Sequence, residues 1–258
     1  FRWSPDGQYI AYWQLDTEGT PLFTMINNTD SLYPTLKQFP YPKVGETNAA
    51  MRIGVLPAQG GKTRWMKIPG DPRQHYLVRM QWAGNSSQLL LQQLTRSQAV
   101  NIADIATGQA RPLVTETTDS WAEYVDDVEF IQGGQAFTWL SERSGYRHLY
   151  RVQRDSGRIQ AITRGHWDVI EVLQINEANG WVYFIASPEN PLERYLFRAS
   201  LDGSGKLERL TPAQPGTHSY QLSANANYAV HTYSNIAQVP VVDMIIRTRI
   251  RETRTLGE

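Results

Sequence analysis

Apolar and polar positions alternate in short runs along this chain, and Gly, Pro, Asn and Asp separate the runs. The opening FRWSPDGQYIAY shows the pattern. Trp3-Ser4-Pro5-Asp6-Gly7 reads as the end of one strand and a tight turn, because Pro pre-sets φ and Gly accepts a positive one. Gln8 to Tyr12 then alternates with the period of a half-buried strand. The pattern returns at Met80 to Asn85 before Gln88 to Gln92, and at Glu129 to Gly134 before Gln135 to Trp139. Two further copies are Gln174 to Gly180 before Trp181 to Ile185, and Gln221 to Asn227 before Tyr228 to Thr232. Anchored on Trp82, Phe130, Ile175 and Leu222, the copies lie 48, 45 and 47 residues apart. That is the length of a four-stranded propeller blade.

A second series keeps the same register. Each member is an apolar strand, a Gly turn and another strand: Ile53 to Ile68 around Gly60-Gly61, Asn101 to Val114 around Gly108, Tyr150 to Thr163 around Gly157, and Phe197 to Thr211 around Gly203. Ile53, Ile102, Tyr150 and Phe197 are 49, 48 and 47 residues apart. Helical periodicity is scarce, so the expected fold is all-β, about five four-stranded antiparallel blades of a propeller; a β-sandwich or stacked hairpins is the alternative. Each leading strand is expected to end near Trp3, Trp82, Phe130, Ile175 or Leu222.

One interval breaks the repeat. Trp3 and Trp82 are 79 positions apart, about 31 more than one blade step, and the surplus falls between Asp16 and Glu46. An inserted β-arm is expected at about residues 20–43, offering Leu22, Phe23, Leu32, Leu36 and Phe39 either to a partner or back to its own propeller.

Composition narrows the function classes. Twenty-five basic residues balance twenty-five acidic ones, so no long-range field favours nucleic acid or an anionic membrane. No apolar run approaches the length of a membrane span. The absence of cysteine excludes disulfides, thiolate metal sites and a cysteine nucleophile within these residues. Eight Trp and thirteen Tyr suit sheets packed face to face. A G-x-S-x-G nucleophile elbow does not occur, and Ser204 and Ser219 read as turn residues, so no catalytic residue is assigned. His75, His148, His166, His218 and His231 show neither H-x-H nor H-E-x-x-H spacing, so no metal and no cofactor is expected. His148 is expected to satisfy backbone groups between strands. Asn27-Asn28-Thr29 and Asn85-Ser86-Ser87 match the glycosylation pattern and are read as unmodified.

Four stretches carry a resemblance: FRWSPDGQYIAY, PYPKVGETNAAMRIGV (Pro40 to Val55), SERSGYRHLYRV (Ser141 to Val152) and ITRGHWDVIEV (Ile162 to Val172). In this order they resemble the β-propeller domain of the dipeptidyl peptidase IV branch of the prolyl oligopeptidase family. The resemblance implies part of an eight-bladed propeller that caps an α/β-hydrolase domain releasing dipeptides from peptide N-termini. On that reading residues 1–258 are a partial, non-catalytic propeller that gates short peptides, with its glutamate pair for the substrate ammonium preceding Phe1 and its hydrolase domain following. An interaction scaffold is the alternative. In mammalian members a Trp followed by an aromatic and arginines lines the substrate cavity, and the matching stretch here is Asp119 to Asp127. The implied pocket candidates are Trp121, Glu123 and Tyr124, although no basic residue occurs between Trp121 and Arg143. Blade packing is the alternative role for both rings. The resemblance further implies homodimerisation through the arm, short peptides and the chain's own hydrolase domain as partners, and a periplasmic or secreted location.

Overall fold

The computed structural model describes residues 1–258 apart from 96–97, 118–127, 213, 247–253 and 256–258. Five four-stranded antiparallel sheets follow one another along the sequence. In the first, β1 (Arg2–Trp3) and β2 (Tyr9–Asp16) precede a hairpin of β3 (Leu22–Asn27) and β4 (Thr35–Pro40), after which β5 (Ala50–Pro57) and β6 (Arg64–Trp65) complete the sheet. The second holds β7 (Tyr76–Trp82), β8 (Gln88–Leu94), β9 (Gln98–Asp104) and β10 (Ala110–Glu116). The third holds β11 (Phe130–Ile131), β12 (Ala136–Ser141), β13 (His148–Gln153) and β14 (Ile159–Ala161). The fourth holds β15 (Val169–Asn176), β16 (Trp181–Ala186), β17 (Tyr195–Ser200) and β18 (Leu207–Arg209). The fifth holds β19 (Thr217–Leu222), β20 (Tyr228–Asn235), β21 (Gln238–Ile246) and β22 (Arg254–Thr255).

Every sheet is a meander of sequential strands, with no strand exchanged between sheets. This is propeller-blade order and not the Greek-key order of a sandwich. Leading strands end at Trp3, Trp82, Ile131, Asn176 and Leu222, at the repeat anchors or one residue beyond. The helical stretch among the described residues is a single 3-10 turn, Glu177–Asn179.

The repeated turn has one mechanism with interchangeable parts. After β1, the Ser4 hydroxyl donates to Asp6 Oδ1 (2.6 Å) and accepts the Tyr9 amide (2.9 Å), while Asp6 Oδ1 also accepts the Gln8 amide (3.0 Å). After β19, Ser223 and Asn225 do the same for Tyr228 (3.0 Å) and Asn227 (3.1 Å). Ala226 takes the left-handed φ of +53° where Gly7 takes +70°. Between β7 and β8, Ala83 has no hydroxyl, and Asn85 Oδ1 accepts the Ser87 and Gln88 amides itself, both at 2.9 Å. Side-chain oxygens thus replace the ladder bonds that a turn removes.

The chain divides into two compact units, Phe1–Tyr124 and Val125–Glu258. In the first, Ala11, Ile53 and Val55 of the first sheet pack with Leu77, Met80, Leu89 and Leu91 of the second. Burial of each large side chain contributes roughly 2 kcal/mol. Trp indoles fasten the same seam: Trp13 Nε1–H donates to the Leu77 carbonyl (2.9 Å) and Trp82 Nε1–H to that of Arg2 (3.4 Å). At its rim the Lys67 amide donates to the Gly108 carbonyl (2.7 Å). Gly108 is required there, because its φ is +74° and a Cβ would lie 2.8 Å from the Trp65 carbonyl oxygen.

In the second unit the motifs GYRHLY and RGHWDV form one joint between the third and fourth sheets. His148 is buried with Nδ1 3.0 Å from the Thr163 hydroxyl and Nε2 2.9 Å from the Gly165 carbonyl. Trp167 meets His148 edge-on at 4.9 Å and lies nearly parallel to Phe184 of the fourth sheet at 5.9 Å. Beside it, the Arg147 amide donates to Asp168 Oδ1 (2.7 Å) and the Val169 amide to the Arg147 carbonyl (2.7 Å). Between the fourth and fifth sheets, Tyr183, Ile185 and Leu196 pack with Tyr220, Ala226 and Ile245. A buried threonine hydroxyl recurs in both sheets: Thr163 accepts the Leu149 amide (2.9 Å), and Thr211 accepts the Leu196 amide (2.7 Å).

Thr163→Val keeps the shape but orphans a buried amide, and is expected to lower stability by about 2 kcal/mol, with Thr211→Val similar. Thr163→Ser is expected to recover most of the loss. Urea unfolding with an unchanged denaturant slope is the measurement, and a Thr163→Val variant as stable as the parent refutes the role.

Candidate functional site

The arm is a two-stranded hairpin with several exposed apolar side chains. Its register pairs Leu22 with Pro40, Phe23 with Phe39, Met25 with Lys37 and Ile26 with Leu36, so strand alternation puts Leu22, Ile26 and Leu36 on one face. Those three side chains are 63, 66 and 69% exposed, and Leu32 at the tip is 90% exposed. The opposite face is packed at its base, while Met25 further along it is exposed. Phe23 and Phe39 are half-buried and meet edge-on at 5.9 Å, Tyr41 contacts both rings, and the Lys43 ammonium lies 5.8 Å from the Phe23 ring. The tip is tied by Asn27, whose amide donates to Asp30 (2.6 Å) and whose carbonyl accepts the Thr29 amide (3.1 Å). At the base the Tyr41 amide donates to the Pro21 carbonyl (2.9 Å).

Of the five arm residues singled out from the sequence, Leu22, Leu32 and Leu36 are therefore exposed, whereas Phe23 and Phe39 hold the hairpin together. Ile26 joins the exposed face, a residue that composition alone did not mark. Its signal is its pairing with Leu36, legible once the turn is centred near Ser31.

Trp121, Glu123 and Tyr124 lie outside the described residues, as do Asp126 and Asp127. Ser204 is in a turn, where its amide donates to Asp202 Oδ1 (2.8 Å), but Ser219 is inside β19 and not in a turn. The spacing of Thr217 to Leu222 places it there, because His218 and Tyr220 alternate with it as the buried face of a strand. Among the described residues no three His, Asp or Glu side chains converge as metal ligands do, and no helix is long and apolar enough to cross a membrane.

The fifth sheet contains a cluster that sequence spacing missed. His218 of β19 and His231 of β20 are both buried, with Nδ1 of the first 2.8 Å from Nε2 of the second. Register pairs His218 with Tyr233 and Tyr220 with His231, two mirrored His–Tyr pairs about the turn at Asn225-Ala226. The His231 ring stacks on Tyr220 at 4.6 Å, and the His218 ring lies 4.7 Å from Tyr233. His218 also borders a cleft of about 330 Å³ that Glu171, Arg194, Ser219, Gln221 and Thr232 help to line.

Burial, followed by the neighbouring His218, pushes His231 down to about 4. Burial also lowers His218 and His75, and it raises the Tyr220 hydroxyl to about 12. A histidine whose folded pKa is depressed binds more protons unfolded, so its contribution to stability is complete above about 6.5 and is lost as pH falls toward about 4. The urea midpoint is accordingly expected to fall as pH drops from about 6.5 toward about 4. Replacing His218 and His231 together by Gln is expected to flatten that window, and an unchanged slope contradicts the assignment.

The family model described as dipeptidyl peptidase IV (DPP IV) N-terminal region matches residues 1–240. Inactive dipeptidyl peptidase 10 of Mus musculus is 28% identical over 217 residues, which cover 78% of this chain and 27% of that protein. A probable dipeptidyl peptidase 4 of Aspergillus fumigatus is 24% identical over 98% of this chain and 35% of its own length. Among solved structures, dipeptidyl peptidase 4 of Porphyromonas gingivalis superposes with a TM-score of 0.83 and 25% identity, over 99% of this chain and 36% of the other. A putative dipeptidyl aminopeptidase IV of Bacteroides ovatus gives 0.80, with 23% identity over 99% of this chain and 39% of the other. The chain thus spans about a third of the length of the proteins it matches.

Proposed function

The chain belongs to the family of dipeptidyl peptidase IV N-terminal regions, and we propose that it serves a serine dipeptidyl peptidase as a non-catalytic propeller that gates access of short peptides and walls one side of the substrate pocket. The family match over residues 1–240, coincident with five consecutive blade-like sheets, carries this reading. Two facts support the absence of catalysis in this part. No G-x-S-x-G elbow occurs in the sequence, and a similar region is present in a relative named as inactive. On this reading an extended peptide passes where a folded chain does not, and Trp121, Glu123 and Tyr124 contribute to the pocket wall.

The purified chain is expected to release nothing above buffer from a glycyl-prolyl chromogenic substrate. Turnover abolished by a serine-directed inhibitor overturns the assignment. In the intact peptidase, Trp121→Ala is expected to raise KM with kcat little changed, because the side chain acts on binding and not on the reacting bond.

The reading includes self-association through the arm. A two-fold contact must be self-complementary, and the flat strip of Leu22, Ile26 and Leu36 meets a copy of itself without burying a charge. Ile26→Asp with Leu36→Asp alters only exposed positions, so folding is expected to survive. Light scattering of the intact peptidase at low micromolar concentration is expected to give a dimer mass for the parent and a monomer mass for the double variant. A variant that remains fully dimeric removes the arm from the interface.

A further inference from the structure

The hydrogen atoms of the buried histidine pair follow from their partners. His218 Nε2 lies 3.0 Å from the Gln214 carbonyl oxygen, which only accepts, so this nitrogen carries a hydrogen. In a neutral ring the other nitrogen is then an acceptor. His218 Nδ1 therefore accepts, and His231 Nε2, 2.8 Å away, donates. This leaves Nδ1 of a neutral His231 bare. That atom is buried without a hydrogen-bond partner, and so is Asp243 Oδ1. His231 and Asp243 are direct cross-strand neighbours on β20 and β21. Two unpartnered acceptors on neighbouring buried side chains leave a place for one proton between them.

We propose that His218, His231 and Asp243 form a binding site for a single proton, taken up by the histidine pair across from the Asp243 carboxylate. In the loaded state His218 Nε2–H still donates to Gln214, His218 Nδ1 now carries the hydrogen that His231 Nε2 held, and His231 Nδ1–H donates to the Asp243 carboxylate. The count balances: one proton is gained, the histidine pair carries one positive charge, and Asp243 supplies the negative charge opposite it. A second proton would set two cations and two N–H groups against each other across 2.8 Å, so the pair takes one.

The surrounding groups agree with a site that stays empty at neutral pH and fills in acid. Tyr220 and Tyr233 pack against the two rings with their hydroxyls engaged, by Thr211 (2.7 Å) and the Pro215 carbonyl (2.9 Å). Tyr195 lies 5.5 Å from His218 and beneath the Arg209 guanidinium, which is itself paired with Glu189 (2.7 Å). Arg209 opposes a charge on His218, Glu193 favours one, and Asp243 favours one on His231.

Imidazole nitrogen NMR of the full, histidine-labelled chain tests the site. At neutral pH both rings are expected as Nε2–H tautomers. On acidification both are expected to respond in one step with a shared midpoint and a stoichiometry of one proton. Asp243→Asn offers an amide donor to the neutral His231 and removes the counter-charge, so the midpoint is expected to move down by about one pH unit or more. His231→Gln, which preserves a donor for His218, covers the case in which the first variant does not fold; there the shared step is expected to vanish and His218 to titrate alone. Two protons taken up at separate midpoints, an Nδ1–H tautomer of His231 at neutral pH, a midpoint unmoved by Asp243→Asn, or a shared step that survives His231→Gln each overturns the proposal.

Discussion

A sheet of four strands with apolar faces is unstable alone in water, and the seams and turns of this chain answer that constraint. Ile53 and Val55 need Leu77 and Met80, and Tyr183 and Leu196 need Tyr220 and Ile245. Apolar burial supplies the driving force but little direction. Direction comes from polar groups set at the seams. The indoles of Trp13 and Trp82 reach carbonyls of the adjacent sheet, and His148 with Thr163 locks the chain that leaves the third sheet for the fourth. The His148–Thr163 bond is buried and the others are partly so, and breaking the buried one leaves a group with no water to replace it.

The turns follow from the same requirement. A blade that stacks on both sides has room for a connection only at its ends, and the connection must reverse the chain within a few residues. Ser4 with Asp6, Ser223 with Asn225, and Asn85 alone are three sets of side chains that hold one geometry. Ala226 shows how far residue identity can drift: it sits at φ +53°, where a Cβ is unfavourable, because Ser223 and Asn225 hold both sides of it.

The local origin of these turns is why the repeat was legible in the sequence. Polar oxygen, Gly and strand alternation lie within about ten residues of each other, so the blade series and the ends of its leading strands could be read directly. The arm was visible as surplus length, but its two faces were not. Phe23 and Phe39 look as available as Leu22 and Leu36 until register sets the two rings against each other. The histidine pair was invisible for a similar reason. His218 and His231 are 13 residues apart and meet only because the β19–β20 hairpin closes at Ala226. Motif spacing searches for ligands on one strand or helix, and this contact is diagonal across two.

That contrast also explains how the fold persists at 23 to 25% identity with TM-scores of 0.80 and 0.83. What the sheets require is a volume at each seam, a left-handed or oxygen-supported turn at each end, and a few buried donors with acceptors in reach. Each demand has several chemical solutions, as Ser4, Ala83 and Ser223 show at one equivalent position. Residues free of those demands include the outward face of an arm that the first sheet does not need and the strand face of Ser219, Gln221 and Thr232 that lines a cleft. Changes to the exposed strip of the arm leave the seams intact, whereas changes at Thr163, His148 or Trp13 act on the seams themselves.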